Sequence, residues 1–232
     1  MAASWIAFAV TSFLLIGALA TGWERLRAGP PERPAGRPHR ASSAGLYFVN
    51  QGVLAPILAV GLAKIGAVMH PDRLGTHWSA AEIAIGFLCF EAVTYGIHRL
   101  AHRVRWLYRF HRVHHEGEEL GWLDAFRQHP VEFLLFQGLG NLPAVILFGP
   151  AGHVSLWLNV GLRFWTAWLH ARGPVRLGIL ERVLTSPAMH HAHHERRVGS
   201  RASNYGGILS IFDWLGGTAR TDERASRLRV PA

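Results

Sequence analysis

Residues 79–102 read SAAEIAIGFLCFEAVTYGIHRLAH, and this stretch decides the fold class. The segment Ser79–Ile97 carries only two charged residues, Glu82 and Glu91, and is close to the length of about 20 residues that a helix needs to cross a bilayer. The stretch ends in His98 and His102, which a helix places on one face because they are four residues apart. It therefore predicts a membrane helix with two possible metal ligands at its end.

Four more apolar stretches of similar length occur in the chain. Half of all residues are hydrophobic and only 17% are charged, which excludes an intrinsically disordered protein. The chain is therefore predicted to be an all-α integral membrane bundle with about four to five membrane-embedded helices. Gly149-Pro150 separates the last two stretches and predicts a tight helical hairpin. The five predicted spans are Ser4–Thr21, Gly45–Met69, Ser79–Ile97, Val131–Gly149 and Ala151–Ala171.

Arginine is distributed unevenly between these spans. Three blocks are rich in it, Gly22–Ala44, His98–Pro130 and the region from Arg172 onward, whereas the turn His70–Trp78 holds only Arg73. Loops rich in arginine and lysine usually stay in the cytoplasm, and the first such block follows the first span. The N-terminus, on the other side of that span, is therefore predicted to lie outside. The chain then has four crossings, or one crossing plus helical hairpins, with the last two spans dipping in and returning. The net charge of +9 is thus interpreted as membrane topology and not as a nucleic-acid-binding surface.

The ends of the chain and one linker are less apolar. Met1–Ser4 carries no basic side chain, so the first stretch is interpreted as a span, and a signal peptide ending near Ala20 is the alternative. Pro30–His39 is rich in proline and arginine and is predicted to be a linker that does not fold on its own. The segment from Thr221 is predicted to be a polar, frayed tail.

Histidine is the metal-binding chemistry that the chain offers in quantity. There are 15 histidines and one cysteine, which excludes cysteine-based zinc and iron–sulfur sites. The segments His111–His115 and His190–His194 both hold histidines at positions i, i+3 and i+4, which share one helical face. In the second segment this pattern selects His190, although the adjacent His191 remains an alternative. The ten candidate ligands are His98, His102, His111, His114, His115, His129, His170, His190, His193 and His194.

Ten imidazole nitrogens are too many for one ion and suit two ions with about five ligands each. Imidazole binds iron, zinc, copper and nickel, so the spacing alone leaves the metal open. The remaining isolated histidines have no partner at metal-ligand spacing and are interpreted as bystanders: His39, His70, His77 and His153.

In this order, the histidine motifs resemble the fatty acid hydroxylase superfamily, which includes the sterol desaturases and sterol methyl oxidases. The resemblance covers about Glu82–Arg220 and includes Arg127-Gln-His129-Pro130 and Trp168-Leu-His170. Asn204-Tyr205-Gly206 followed by Phe212–Thr218 is similar to the family's C-terminal signature, although Phe212 stands where tryptophan is common. Glu195 also follows His194 where many members carry a small polar residue.

The resemblance implies an all-helical membrane protein with a cytoplasmic histidine-rich cap. It implies two iron ions that use O2 and two electrons to hydroxylate or desaturate a lipid C–H bond. Since the chain shows no haem or reductase domain, the electrons would come from a separate protein, cytochrome b5-like or a ferredoxin with its reductase. The expected location is a bacterial inner membrane, with the histidines on the cytoplasmic side. The domain boundaries are then 1–78 for the N-terminal helices and basic loop, 79–220 for the hydroxylase-like di-iron domain, and 221–232 for the tail.

Three other functions compete with a lipid oxygenase. A membrane metal transporter or metal-binding protein would use the histidines as a pathway, but they fall at span ends and in the cap. A bis-histidine haem protein would leave the triplets unexplained, since a haem takes one or two histidines. A non-catalytic scaffold is the third alternative, and the intact set of motifs argues against it.

Three carboxylates are predicted to support the metal ligands: Glu91, Glu132 and Asp213. Glu91 lies two helical turns before His98, and a carboxylate inside a membrane span is costly unless it has a function. An ion pair between Glu91 and Arg163 is the alternative. Asn204 and Asp213 are alternatively expected to fasten the cap structurally.

Overall fold

The computed structural model describes residues 2–29, 37–117, 120–150, 152–195 and 202–221. For residues 2–4, 37–38 and 152–159 it describes the backbone alone. Every regular element in these ranges is helical, and the all-α prediction is confirmed. The helices are α1 (Ala2–Ala28), α2 (Arg37–Phe48), α3 (Ala55–Met69), α4 (Ala80–Ala101), α5 (Arg105–His111), α6 (Pro130–Leu134), α7 (Gly140–Phe148), α8 (Gly152–His170), α9 (Pro187–His194) and α10 (Ile211–Leu215).

Two π-helical segments make longer rods of these elements: Val49–Leu54 joins α2 to α3, and Leu135–Leu139 joins α6 to α7. Within the described ranges, four helical segments are long and apolar enough to cross a membrane. The fifth predicted span forms α8, which carries Arg163 and His170 and is not among these four. The four segments are Trp5–Ala28, His39–Met69, Ala80–Ala101 and Pro130–Phe148.

The turn between α7 and α8 lies beside the C-terminal end of α3. α7 ends at Phe148, and Gly149 adopts a φ of 80°, a left-handed conformation that favours glycine. A Cβ atom on Gly149 would lie 3.1 Å from the Cβ atom of His70, which follows α3. The imidazole of His70 also contacts the Ile146 carbonyl through Nε2 at 2.8 Å. The hairpin predicted at Gly149-Pro150 therefore has its turn next to His70, at the C-terminal end of α3.

The helix α4 packs most closely against α7. Gly140 begins α7 where the ring of Phe90 and the methyl group of Thr94 approach the backbone, and a Cβ atom there would lie 2.8 Å from the Phe90 ring. At the other end of the contact, Gly86 of α4 faces Ala144. Small residues thus let the two helices approach, which fixes the position of the histidines at the end of α4.

The linker prediction is partly wrong. Pro30–Gly36 lies outside the described residues, but Arg37–His39 forms the first turn of α2. The His39 Nε2 atom lies 2.6 Å from the Asp124 carboxylate, which belongs to the helical turn Trp122–Phe126 of the cap. This long-range contact holds the start of α2, and local composition does not reveal it. The tail beyond Thr221 also lies outside the described residues.

The end of α1 is attached to the cap by one carboxylate. Glu24 is 6% exposed, and it accepts hydrogen bonds from the backbone N–H groups of Trp122 and Arg172 at 2.9 and 3.1 Å. It also forms an ion pair with the guanidinium of Arg172 at 3.3 Å. A buried acceptor with several donors is costly to remove, because each donor left behind is desolvated without a partner.

Replacement of Glu24 by alanine is therefore expected to lower the stability of the protein by about 3 kcal/mol, as for a broken buried pair. The measurement is thermal unfolding of the purified protein in detergent micelles. Glu116→Ala is the matched control, since the Glu116 side chain is 42% exposed and pairs with Arg127 at the surface. The control should change the stability by less than about 1 kcal/mol. Equal effects of the two substitutions would contradict a special role of Glu24.

Candidate metal centre

The histidines converge from four helical segments and one helical turn. α4 supplies His98 and His102 at its C-terminal end, and α5 supplies His111. The turn His114–Glu116 adds two more histidines, α8 adds His170 as its last residue, and α9 adds the remaining three. In α9 the spacing of three and four residues places the histidines on one helical turn, as the sequence predicts. The other triplet is divided, because α5 ends at His111 and the next two histidines lie in the turn His114–Glu116.

Nine of the ten predicted ligands form two groups. Within each group, one nitrogen of every ring lies within 4.8 Å of the corresponding nitrogens of the others. The two groups adjoin, because the rings of His115 and His194, one from each, stack with their centroids 4.3 Å apart. The five-histidine group consists of His98, His102, His111, His115 and His193, and the four-histidine group of His114, His170, His190 and His194.

The convergent atoms are the Nε2 nitrogens. In the five-histidine group, His111 Nε2 lies 3.1 Å from His98 Nε2, and 2.9 Å from the Nε2 atoms of both His102 and His115. In the four-histidine group, His170 Nε2 lies 3.1 Å from the Nε2 atoms of His114 and His190. His190 Nε2 is also 3.1 Å from that of His194.

In four of these histidines the opposite ring nitrogen, Nδ1, faces a hydrogen-bond acceptor. His98 Nδ1 lies 2.8 Å from the Tyr205 carbonyl, and His193 Nδ1 lies 2.6 Å from the Ser203 carbonyl. Since a carbonyl only accepts, each Nδ1 atom carries the hydrogen, and the Nε2 lone pair is free. The His170 Nδ1 atom likewise donates to the Thr166 carbonyl at 2.7 Å.

The carboxylate of Glu132 likewise holds the hydrogen of His111 on Nδ1. Its Oε1 atom lies 2.7 Å from His111 Nδ1, and both side chains are buried. The Nε2 atoms of His98 and His111 therefore approach each other with both lone pairs directed inward. Neither Nε2 carries a hydrogen in the neutral rings, so this contact is not a hydrogen bond. Lone pairs so arranged suit a shared cation. Two nitrogens bound to one ion at about 2.1 Å are themselves about 3 Å apart, so the donor set fits a metal ion in each group.

His129 and His191 lie outside both groups. His129 caps α6, its Nδ1 atom accepting a hydrogen bond from the Val131 N–H at 3.1 Å, while its ring packs on Phe110. His191 instead contacts the Ala171 carbonyl through Nε2 at 3.1 Å. The structure thus brings His190, which the i, i+3, i+4 pattern selects, to the four-histidine group, and it does not bring His129 to either one.

The segment 203–210 supports two histidines of the five-histidine group. Its carbonyls at Ser203 and Tyr205 accept from His193 and His98. Asp213 holds this segment by accepting from the N–H groups of Tyr205 and Gly206, both at 2.7 Å. The carboxylate therefore acts through backbone that touches the histidines and not on the rings themselves.

Glu91 holds the other end of the same segment. Its Oε2 atom accepts from the N–H groups of Ile208 and Leu209 at 2.8 and 2.7 Å. The alternative ion pair with Arg163 does not form, because the Arg163 guanidinium lies over the ring of Phe8 and 3.5 Å from the Ser12 hydroxyl.

Asn204 has a structural role. It adopts a φ of 57°, and its side chain donates to the Met189 and Arg220 carbonyls at 2.8 and 2.9 Å. The Oδ1 atom of the same side chain also accepts from the Arg220 N–H at 2.7 Å. Asn204 thereby ties α9 to the end of the described chain.

Burial keeps the cap histidines neutral. It lowers the pKa of His102 from 6.5 to about 3, assisted by repulsion from His98 and His114. It lowers the pKa of His114 from 6.5 to about 4, with a smaller contribution from His98. The pKa values of His111, His190, His193 and His194 lie well below 6.5 for the same main reason. Their lone pairs are thus available at neutral pH without competition from protons.

The metal-free protein is expected to lose stability as the pH falls from 7 to 5. Between the folded and unfolded pKa values, the unfolded chain binds more protons than the folded one, so the free energy of unfolding decreases with decreasing pH. Thermal unfolding in detergent, measured at several pH values after chelation, tests this. His114→Gln removes one such group and should give a shallower dependence. A stability that is flat or rises toward pH 5 would contradict the expectation.

The supporting carbonyls could not be found from side-chain motifs. Ser203 and Tyr205 act through their main chains, and the sequence shows only that an Asn-Tyr-Gly signature is present. Thr166 is different, because it lies four residues before His170, a helical spacing that is visible in the sequence.

A family model described as fatty acid hydroxylase matches residues 83–218. Ornithine lipid hydroxylase OlsE of Rhizobium tropici is 30% identical over 75% of this chain and 53% of its own length. Human alkylglycerol monooxygenase is 31% identical over 57% of this chain and 29% of its own length. A Delta(7)-sterol 5(6)-desaturase of Gibberella zeae is 29% identical over 53% of this chain and 38% of its own length. No solved structure matches, and the match spans about half or less of each of these relatives.

Proposed function

Because the chain belongs to the fatty acid hydroxylase family, a family of non-haem iron oxygenases, we propose that it is a membrane-bound, O2-dependent oxidoreductase that hydroxylates or desaturates a lipid C–H bond. The observation that carries the proposal is the convergence of nine Nε2 atoms in two adjoining groups. The lipid substrate is proposed from the relatives, whose names include a lipid hydroxylase, an alkylglycerol monooxygenase and a sterol desaturase.

The nine grouped histidines are proposed to hold two iron ions, one in each group. Iron would supply the redox chemistry for O2 and an unactivated C–H bond, which acid–base side chains do not attack. The protein's own contribution is to hold the imidazoles of His98, His111, His170 and His193 through acceptors at Nδ1, with Nε2 directed inward. The cap also keeps His111, His170 and His193 away from bulk water, each being no more than 5% exposed.

The remaining parts of the proposal concern the surroundings of the site. The domain that carries the site is proposed to cover 79–220, after N-terminal membrane helices in 1–78 and before the tail 221–232. The arginine-rich blocks support a cytoplasmic position for the histidines in a bacterial inner membrane. The electrons are proposed to come from a separate protein, cytochrome b5-like or a ferredoxin with its reductase.

Lipid profiling by mass spectrometry tests the proposed function. Cells expressing the wild-type protein should contain a lipid that is absent from cells expressing His114→Ala, with a mass shift of about +16 for hydroxylation or about −2 for desaturation. Protein amounts in the membrane are matched by immunoblot. Identical lipid profiles, together with metal uptake into vesicles without O2 consumption, would favour the alternative of a metal transporter.

A further inference from the structure

Six large apolar side chains are exposed together on the cap. Leu215 is 79% exposed and Ile179 is 70% exposed, which is unusual for side chains of this size in a packed cap. They come from α10 and from the helical turn Gly178–Arg182 with the residue that follows it. We name them the cap patch, which consists of Ile179, Leu180, Val183, Ile211, Trp214 and Leu215.

Hydrogen bonds join α10 to the turn Gly178–Arg182, so that the two segments form one surface. The Ser210 hydroxyl and the Trp214 indole both donate to the Glu181 carbonyl, at 2.7 and 2.8 Å. The Ser210 N–H donates to the Val183 carbonyl at 3.0 Å. The cap patch is therefore held in place by the backbone and is not a set of loose side chains.

The cap patch lies beside the C-terminal end of a helix that is apolar enough to cross a membrane. The residues after α10 pack on α4, where the Tyr95 hydroxyl lies 3.0 Å from the Thr218 hydroxyl and Arg99 donates to the Gly216 carbonyl at 3.2 Å. Tyr95 and Arg99 belong to the last two turns of the segment Ala80–Ala101, so α10 lies next to that end of α4.

The exposed apolar face of α4 is adjacent to the cap patch. Ile85 and Leu88 are 45% and 49% exposed, in a helix that is apolar enough to cross a membrane. Leu88, Tyr95 and Arg99 are spaced by seven and four residues, so they lie on one helical face. The lipid-facing surface of α4 therefore continues into α10.

The exposed charge around the cap patch is basic. In the part of the chain that the structure describes, Arg176 and Arg182 are exposed in or beside the turn Gly178–Arg182, whereas Glu181 and Asp213 of the same two segments are 3% and 0% exposed. Arg176 forms an ion pair with Glu181 at 3.2 Å, so Arg182 carries the exposed positive charge beside the patch. Arginines next to apolar side chains and a tryptophan are typical of a surface that meets anionic lipid headgroups.

We propose that the cap patch is inserted into the lipid bilayer, with its apolar side chains among the acyl chains and with Arg182 at anionic headgroups. The cap would then contact lipid at segments that adjoin the backbone at 203–210, which holds His98 and His193.

Fluorescent labelling of the full chain in lipid nanodiscs tests the proposal. In a Cys89→Ala background, Leu215→Cys and Ile179→Cys are labelled with a polarity-sensitive dye in nanodiscs of phosphatidylcholine and phosphatidylglycerol. Val68→Cys on α3, where the side chain is 83% exposed, is the control for lipid contact. Asp72→Cys, in the exposed turn between two spans, is the control for contact with water.

Labels at both patch positions should be quenched by brominated acyl chains as strongly as at Val68, and they should be protected from aqueous iodide. Quenching by iodide as at Asp72 would overturn the proposal. Protection from both quenchers would also overturn it, since a second copy or another protein would then cover the patch. In phosphatidylcholine alone, the label at Ile179 should become more accessible to iodide, and an unchanged signal would refute the role of anionic headgroups.

Discussion

The variant His114→Ala is expected to retain one iron ion per chain where the wild-type protein retains two, and to make no oxidised lipid. The four-histidine group would keep only three nitrogens, while the five-histidine group would remain complete. His114 is also one of the links to His170, since their Nε2 atoms are 3.1 Å apart. The measurement is iron per chain by elemental analysis, after purification in detergent and dialysis against a weak chelator.

Two neighbouring histidines provide matched controls. His129→Ala should retain both ions, because His129 caps α6 and lies outside the two groups. His191→Ala should do the same, although it removes a hydrogen bond to the Ala171 carbonyl. The melting temperatures of the metal-free variants show whether a loss of iron merely reflects unfolding. Loss of iron from His129→Ala, with a normal melting temperature, would return His129 to the ligand set.

Removal of the Glu132 side chain is expected to weaken iron binding in the five-histidine group about 10- to 100-fold, as is usual when the partner of a ligating histidine is lost. In Glu132→Ala, His111 Nδ1 loses the carboxylate that holds its hydrogen and fixes the orientation of the ring. The affinity is measured by competition with a chromophoric chelator. The four-histidine group should be unaffected, so only one of the two ions should be released more easily.

Substitution by glutamine separates orientation from charge. An amide oxygen can still accept the hydrogen of His111 Nδ1, so Glu132→Gln should recover most of the affinity that the alanine variant loses. Glu116→Ala is the control, because Glu116 directly follows His115 but pairs with Arg127 at the surface. If Glu132→Ala and Glu116→Ala have equal effects, the contact between Glu132 and His111 does not support the metal.

Much of the fold could be predicted because hydrophobicity and helical spacing are local properties. The segment Ser79–Ile97 predicts a membrane helix from its length, and α4 runs over Ala80–Ala101. The triplet His190–His194 likewise lies in one helix, where the positions i, i+3 and i+4 are neighbours, whereas α5 ends within the triplet His111–His115. The start of α2 could not be predicted, because Arg37–His39 is held by Asp124, which lies far away in the sequence.

The candidate site shows the same division. The sequence predicts ten ligands, but the structure shows that His129 caps α6 and that its ring lies on Phe110. His190 and His191 are adjacent, and only the direction of α9 decides that His190 faces the group while His191 faces the Ala171 carbonyl. Glu91 and Asp213 were nominated as supports, yet both act through backbone N–H groups that no motif displays.

By itself the sequence determined that this chain is an all-helical membrane protein of the fatty acid hydroxylase family, with histidine as the candidate metal ligand that it offers in quantity, because residue type, order and local spacing carry that information. Only the tertiary structure decided the division into five and four nitrogens, the role of the segment 203–210, and the exposure of the cap patch. These depend on contacts between residues distant in the chain, such as His98 with Tyr205 and Tyr95 with Thr218. Such contacts are set by how helices pack, and no local pattern specifies that.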